Sequence, residues 1–228
     1  MTGFRVCKRD RFVSDADIDR FRALPVANVS DVMNRIPAGG ASLRPLHRGA
    51  VLAGRALTVR TRPGDNLMVH KALDMAGPGD VIVVDAGGDL SNAIIGELMI
   101  AYAKKRGVAG LVINGAVRDL AAIAADDYPI FAAGVTHRGP YKDGPGEVNV
   151  PIALGSLVIV PGDLILGDAD GVVAVPIDEV DRVHAEASAK HAAETAQMEA
   201  IAAGTNDRSW VDRTLISLGC AGIDGEAQ

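Results

Sequence analysis

The sequence predicts an α/β fold with buried parallel strands packed under helices, and three observations carry that prediction. Residues 81–84 and 110–113 are short, continuous apolar runs, the pattern of strands covered on both faces. Each run ends in a loop rich in Gly, Asp or Asn, namely Asp85-Ala86-Gly87-Gly88 and the stretch from Asn114 to Asp119. A helix-sized segment follows each one, and strand–helix–strand order favours parallel pairing through right-handed crossovers. The 228 residues are 48% hydrophobic but only 4% aromatic, so the core has to be built from Ala, Val, Ile and Leu.

Taken in order, residues 15–36 read as a helical N-terminal region, with Asp15 as its cap and Pro37-Ala38-Gly39-Gly40 closing it. Residues 51–60 form a strand. Asp65 caps a helix running through His70 and Leu73 to about Ala76. Pro78-Gly79-Asp80 is a tight turn, with Pro and Gly at its central positions, and it leads into the strand at 81–84. After Asp85-Ala86-Gly87-Gly88 a helical segment is expected to run to Arg106, stopped by Gly107. The strand at 110–113 follows, then an alanine-rich helix and a strand near Ile130. Pro161-Gly162-Asp163-Leu164-Ile165 repeats the turn-then-strand unit of residues 78–82 and continues into a strand at 172–175. Residues 177–203 form a long helix on which Val180, Val183, Ala187, His191, Glu194, Met198 and Ile201 fall on one face. From Gly204 onward the chain reads as a tail. The expected organisation is one domain, with a helical region (1–40), an α/β catalytic core (41–176) and a C-terminal helix and tail (177–228).

Charge and composition narrow the function classes. The formal net charge is −6, and the densest basic run, Lys104-Lys105-Arg106, sits where a helix ends and complements its dipole. No basic face for nucleic acid is expected. Cys7 and Cys220 lie near opposite ends, with no disulfide framework or zinc-ribbon spacing. No apolar run approaches a membrane span. The N-terminus lacks a basic stretch followed by an apolar core, so no signal peptide and a cytoplasmic location are expected.

In α/β sheets ligands gather beyond the carboxyl ends of the strands. If the strands ending at Asp85 and Asn114 are neighbours, their two loops are expected to open onto one pocket. Gly96 is costly inside a helix, by about 1 kcal/mol relative to alanine, which places the helix start near it. The free amides of Gly96, Glu97 and Leu98 are then available to a carboxylate. Adjacent Arg118 and Asp119 diverge and can serve different ligands, the guanidinium a carboxylate or enolate and the carboxylate a hard cation. The plainer reading makes Asp119 the N-cap of the next helix. His70 reads as a satisfied core histidine, and the Gly/Pro-rich loop from Gly134 to Gly146, with His137 and Lys142, either as a cover for the site or as a merely structural loop.

The stretch from Gly79 to Asp119, above all Gly96-Glu97-Leu98, Gly107 and Gly115-Ala116-Val117-Arg118-Asp119, resembles the 4-hydroxy-4-methyl-2-oxoglutarate aldolase family. That family also contains regulators of ribonuclease activity. Its signature is an acidic residue, twenty intervening residues and Arg-Asp, and Glu97 precedes Arg118 with that spacing. Residues 144–151 and 168–173 also look like family segments, and the similarity spans about 25 to 204. Glu97 is a departure, since some members carry aspartate there.

The resemblance implies a layered β/β/α fold and a homotrimer or homohexamer with sites at subunit interfaces. It further implies class II aldolase chemistry on a keto acid, and oxaloacetate decarboxylation through the same pyruvate enolate. Asp119 would bind Mg²⁺ or Mn²⁺, Arg118 would contact the keto oxygen, and the amides of Gly96 to Leu98 would grip the carboxylate. Glu97 would hydrogen-bond metal-bound water. A glutamate of a neighbouring subunit's C-terminal helix would complete the metal's water shell, with Glu194 favoured over Glu186 and Glu199. The alternative is a non-catalytic regulator that binds an RNA-processing enzyme. Two other chemistries fit less well. A Schiff-base aldolase needs a desolvated lysine at the pocket, and a nucleotide site needs a glycine spacing that Asp89 and Leu90 interrupt.

Overall fold

The computed structural model describes residues 3–36 and 39–223. The first elements are strand β1 (Phe4–Val6), helices α1 (Asp15–Phe21) and α2 (Val26–Val32), strands β2 (Arg44–Pro45) and β3 (Leu52–Thr61) and helix α3 (Leu67–Met75). Then come β4 (Asp80–Asp85), β5 (Ala93–Ile95), α4 (Glu97–Lys105), β6 (Gly110–Val117), α5 (Leu120–Ala124) and β7 (Ile130–Val135). The chain continues through β8 (Gly146–Val148), β9 (Ile152–Leu154), β10 (Leu157–Ile159), β11 (Leu164–Asp168) and β12 (Gly171–Val175). It finishes with α6 (Val180–Ala202) and α7 (Trp210–Ser217). Two units pack separately, one up to Ser188 and one from Ala189 onward.

The N-terminal region departs from the expected single helical stretch. Ser14, not Asp15, caps α1, through a capping box with Asp17, and Pro25 separates α1 from α2. Pro37 and Ala38, expected to close this region, lie outside the described residues. The tail after Gly204 contains α7, which the sequence reading left unassigned.

β3, β4, β6 and β7 pair in parallel in that order, and β5 adds in parallel to the end of β6. This ladder is the buried parallel sheet expected from the apolar runs. The sheet as a whole is mixed, because β8 and β11 run antiparallel to β3, and β2 antiparallel to β7. Alternation along the strands splits the core into layers. Leu57, Ile82, Val84, Leu111 and Ile113 pack with Val69 and Leu73 of α3, Ala103 of α4 and Ile123 of α5. Their neighbours Ala56, Val81, Val83 and Val112 face the β9–β10 hairpin and β12, through Leu154, Leu157 and Ala174. Helices, sheet and β-layer are the α/β architecture of β/β/α type that was expected. A further cluster joins α1, α2, β11 and β12 to the first turns of α6 through Val180, Val183 and Ala187. The predicted apolar face of α6 is buried only that far. Glu194 is exposed and pairs with Lys190 at 2.8 Å, so it pays no desolvation cost within one chain.

The repeated Pro-Gly-Asp forms the same turn twice. Asp80 N–H donates to Gly77 O at 3.2 Å, and Asp163 N–H to Val160 O at 3.1 Å. Gly79 and Gly162 take φ of 80° and 95°, the region that glycine adopts freely. Each buried carboxylate then accepts the amide three residues back, Gly77 N–H at 3.0 Å and Val160 N–H at 2.8 Å. The copies flank β3, where Gly79 O and Asp163 O accept the amides of Arg55 and Ala56. They differ in counter-charge. Asp80 holds the Arg9 guanidinium at 2.7 Å. Asp163 accepts only a second amide, from Ile177, and burial pushes its carboxyl upward.

This difference sets the cost of neutralising each turn. Asp80→Asn leaves Arg9, whose side chain is 15% exposed, without its partner, and should cost about 3–5 kcal/mol. Asp163→Asn gives up one amide contact and should cost about 1 kcal/mol. Urea unfolding midpoints of the two variants measure the gap, and equal losses would show that the Arg9 pair adds nothing.

Candidate active site

The site forms where β5 and β6 end together. Their parallel pairing sets Ile95 opposite Val117, and Arg118 N–H donates to Ile95 O at 3.0 Å. The next residues, Gly96-Glu97 on one side and Arg118-Asp119 on the other, are thereby neighbours. Asp119 takes the left-handed conformation, φ 64° and ψ 39°, which costs an L-residue about 1–2 kcal/mol. Its carboxylate does not cap the helix it precedes. Oδ2 instead accepts the amide of Glu97, the first residue of α4, at 2.9 Å, and lies 3.7 Å from Arg118 Nε. The cap reading for Asp119 was correct in kind and wrong in target.

Gly96 makes this approach possible. A Cβ there would stand 2.5 Å from Asp119 Oδ2 and 2.9 Å from Arg118 Cγ, so any side chain would displace both functional groups. Of the three amides expected to grip a carboxylate, that of Glu97 is already engaged by Asp119. The other carboxylate oxygen, Oδ1, has no partner among the described residues. A single half-exposed carboxylate oxygen, with no thiolate or imidazole beside it, suits a hard cation that keeps most of its own waters. Among the described residues no three His, Cys, Asp or Glu side chains gather into a fuller cage.

Arg118 lines a cavity of about 170 Å³ together with Asn66, which precedes α3, His70 of α3, Gly96, Leu98 and Met99, and Pro140 and Lys142 of the following loop. Glu97 does not line it. Its residue borders a separate cavity of about 140 Å³ with Lys104, Asp126 and Tyr128. Gly87 and Gly88 are also absent from the Arg118 cavity. Although β4 and β6 are neighbours, Asp85 turns its carboxylate onto Gly87 N–H and the Asn114 amide, and Gly115 packs against Ala86. The expected common pocket of the two loops does not form.

Pro140 and Lys142 are brought in by a loop that one buried acid ties down. Asp65 Oδ2 accepts the amides of Asp143 at 2.7 Å and Gly144 at 2.9 Å, while Oδ1 accepts Leu67 N–H at the start of α3. Arg62 lies 3.2 Å away. The predicted helix cap therefore also anchors the loop. Asn92 donates its amide to Gly139 O, and Gly139 packs close to Arg118 Nη1. Burial alone would raise the Asp65 carboxyl, but the three amides and Arg62 outweigh it and hold its pKa below the ordinary value. His70 moves downward, through burial first and then Lys142, with Asp74 opposing. His137 does not reach the cavity. Asn66 was missed by the sequence reading, although Asn66 and His70 stand out as polar residues four apart among the buried Met68, Val69 and Leu73.

Fold and site together define a layered α/β protein with an arginine–carboxylate pair set over a glycine at the end of a parallel strand. A family model described as RraA-like, Aldolase/RraA, matches residues 26–174, and the chain belongs to that family. A Halalkalibacterium halodurans protein named "Putative 4-hydroxy-4-methyl-2-oxoglutarate aldolase" is 42% identical over 192 residues, which are 83% of this chain and 91% of that one. The crystal structure of an uncharacterized protein from Pseudomonas syringae pv. tomato superposes with a TM-score of 0.76 at 27% identity, over 85% of this chain and 95% of its own. The RNA-processing inhibitor RraA from Thermus thermophilis superposes at 0.62 with 33% identity, over 67% and 92%. No helix among the described residues is long and apolar enough to cross a membrane.

The Asp65 anchor has a pH signature. A carboxylate with a depressed folded pKa stabilises the fold fully above its unfolded value, and the contribution is lost as pH falls through the folded one. Asp65→Asn should therefore cost about 2–3 kcal/mol at pH 7. Its deficit against wild type should shrink as pH drops below about 4. Denaturant titrations at neutral and acid pH measure this, and a pH-independent deficit would mean that shape rather than charge holds the loop.

Proposed function

We propose that the protein is a divalent-metal-dependent lyase that cleaves 4-hydroxy-4-methyl-2-oxoglutarate-type 4-hydroxy-2-oxo acids to pyruvate and decarboxylates oxaloacetate. The observation that supports this reading best is the Asp119–Gly96–Arg118 arrangement. One carboxylate oxygen is locked by an amide and lies 3.7 Å from the Arg118 guanidinium, the second has no partner among the described residues, and glycine clears the space between the two side chains. The name carried by the 42% identical relative points to the same chemistry.

Cleavage and decarboxylation both break the C3–C4 bond of a 2-oxo acid and leave the electron pair as a pyruvate enolate. Arg118, half-exposed at the cavity wall, donates to the keto oxygen as its charge grows. Such a donor is worth more in the transition state than in the ground state. Asp119 is the residue to hold Mg²⁺ or Mn²⁺, which when bound supplies Lewis-acid charge beside that oxygen. With the Glu97 amide taken by Asp119, the Gly96 and Leu98 amides are the ones left to take the substrate carboxylate, with the Glu97 side chain outside the cavity to meet water on the ion. Leu98, 84% exposed, and the exposed Tyr102, Leu120 and Val135 fit a site that a second subunit covers, in a homotrimer or homohexamer. Glu194 of a neighbouring copy is our candidate to complete the water shell of the ion.

Pyruvate release from both substrates should stop in excess chelator and return with Mg²⁺ or Mn²⁺, and Asp119→Ala should abolish it in a folded protein. Arg118→Lys keeps the charge but loses the planar fork, and should lower kcat by about 10²–10³. Full activity in chelator would overturn the metal assignment. For the shared site, inactive Asp119→Ala and Glu194→Ala subunits, dissociated and reassembled together, should regain part of the activity. A fully active Glu194→Ala enzyme would remove Glu194 from the site.

A further inference from the structure

The cavity beside Arg118 is lined by two cations, Arg118 and Lys142, and by no acid, in a protein whose net charge is −6. Asn66 and His70 are its other polar side chains, and the rest of the lining is apolar. Arg118 is half-exposed, and its Nε lies 3.7 Å from Asp119 Oδ2, a group that does not line the cavity. Lys142 is exposed, and its ammonium forms no ion pair or hydrogen bond among the described residues. Its neighbour in sequence, Asp143, turns to Arg62 at 3.4 Å.

The backbone that carries Lys142 is fixed on both sides. Tyr141 N–H donates to Gly64 O at 2.8 Å, and Tyr141 O accepts Asn66 N–H at 3.0 Å. Asp143 N–H donates to Asp65 Oδ2 at 2.7 Å. Tyr141 places its ring beneath the Arg62 guanidinium. In extended backbone the residues on either side point the other way, and Pro140 and Lys142 both line the cavity. A Cβ on Gly139 would stand 3.3 Å from Arg118 Nη1, so the loop starts against the arginine and reaches the lysine three residues later. His70 is shifted down by burial first and then by Lys142, which sets the ammonium within electrostatic reach of α3. A held backbone with an unpaired ammonium, beside a second cation, calls for a ligand with more than one negative charge.

We propose that Lys142 binds the carboxylate on C4 of a 4-hydroxy-2-oxo dicarboxylate, and so makes the cavity select dicarboxylates over monocarboxylates. The proposal rests on the lyase reading above and assigns a residue to the half of the substrate that this reading leaves without one. Arg118 and the Gly96 and Leu98 amides serve the keto acid end, and a monocarboxylate would leave Lys142 unused. Lysine is a compact charge on a flexible four-carbon stem, able to follow a group that moves during the reaction. When the C3–C4 bond breaks, the carboxylate on C4 departs with the carbonyl product and keeps its charge. The contact is therefore about as strong in the ground state as in the transition state, and such uniform binding lowers KM rather than raising kcat.

The test is a ratio between two substrates, measured in wild type and in variants. One is 4-hydroxy-4-methyl-2-oxoglutarate. The other is 4-hydroxy-4-methyl-2-oxopentanoate, which has a methyl group in place of the carboxylate on C4. Wild type should prefer the dicarboxylate by roughly 10–100-fold in kcat/KM, the scale of one hydrogen bond between charged groups. In Lys142→Met this ratio should fall towards one, the loss appearing as a higher KM for the dicarboxylate, and Lys142→Arg should restore most of it. Lys142→Gln is the second variant should the first not fold. A wild-type enzyme without the preference would overturn the role of Lys142 and leave the lyase reading standing. So would a Lys142→Met enzyme that keeps the wild-type ratio, whatever its absolute rates, because the lysine then only supports the loop. A wild-type protein active on neither substrate nor on oxaloacetate would overturn the lyase reading, and this proposal with it.

Discussion

The parallel pairing of β5 with the end of β6 is the constraint on which the site depends. Carboxyl ends of parallel strands release their loops in one direction, and here the two loops are so close that one must give up its side chain. Gly96 does so, and Asp119 occupies the space with its carboxylate against the Glu97 amide. The left-handed backbone of Asp119 carries a strain offset by that bond. Strain of this kind persists where the surrounding structure over-determines it, and β6, buried on both faces between β4 and β7, is such a surrounding.

The buried acids of this fold share a device. Asp65, Asp80 and Asp163 each accept amides from turns close in sequence or space, and Glu147, fully buried, takes the Gly3 amide together with Arg5 and Arg60. A carboxylate removed from water is tolerable only when such donors replace its hydration. Each bond also ties a loop to the ladder. Asp65 is the case that matters for function, because the loop it holds carries Lys142 and Pro140 to the cavity wall.

The cavity unites parts of very different rigidity. Its floor, α3 and the ends of β5 and β6, is packed into the helix-side core through Val69, Leu73, Ile95 and Val117. On its outer rim Leu98 is 84% exposed. A site with a fixed floor and an open rim can keep catalytic groups in register while a second surface decides access.

Much of this was legible in the sequence because it depends on local chemistry. Apolar runs gave the ladder strands, Pro-Gly-Asp gave both turns, and the isolated cost of glycine in a helix gave the start of α4 at Gly96. Glu97, Arg118 and Asp119 were picked out as a spaced trio by the family resemblance rather than by local chemistry. Short strands such as β5 and β8 were not, since three residues carry no periodicity and take their conformation from a partner far along the chain. Nor could sequence tell that Asp119 bonds to an amide 22 residues away, that Glu97 leaves the cavity, or that Asn66 and His70 each keep a buried atom without a hydrogen bond. Those outcomes are set by strand register and by which hydrogen-bond partners other segments have already taken. Local pattern determines which elements form, and only their packing decides where each polar atom finds, or lacks, its partner.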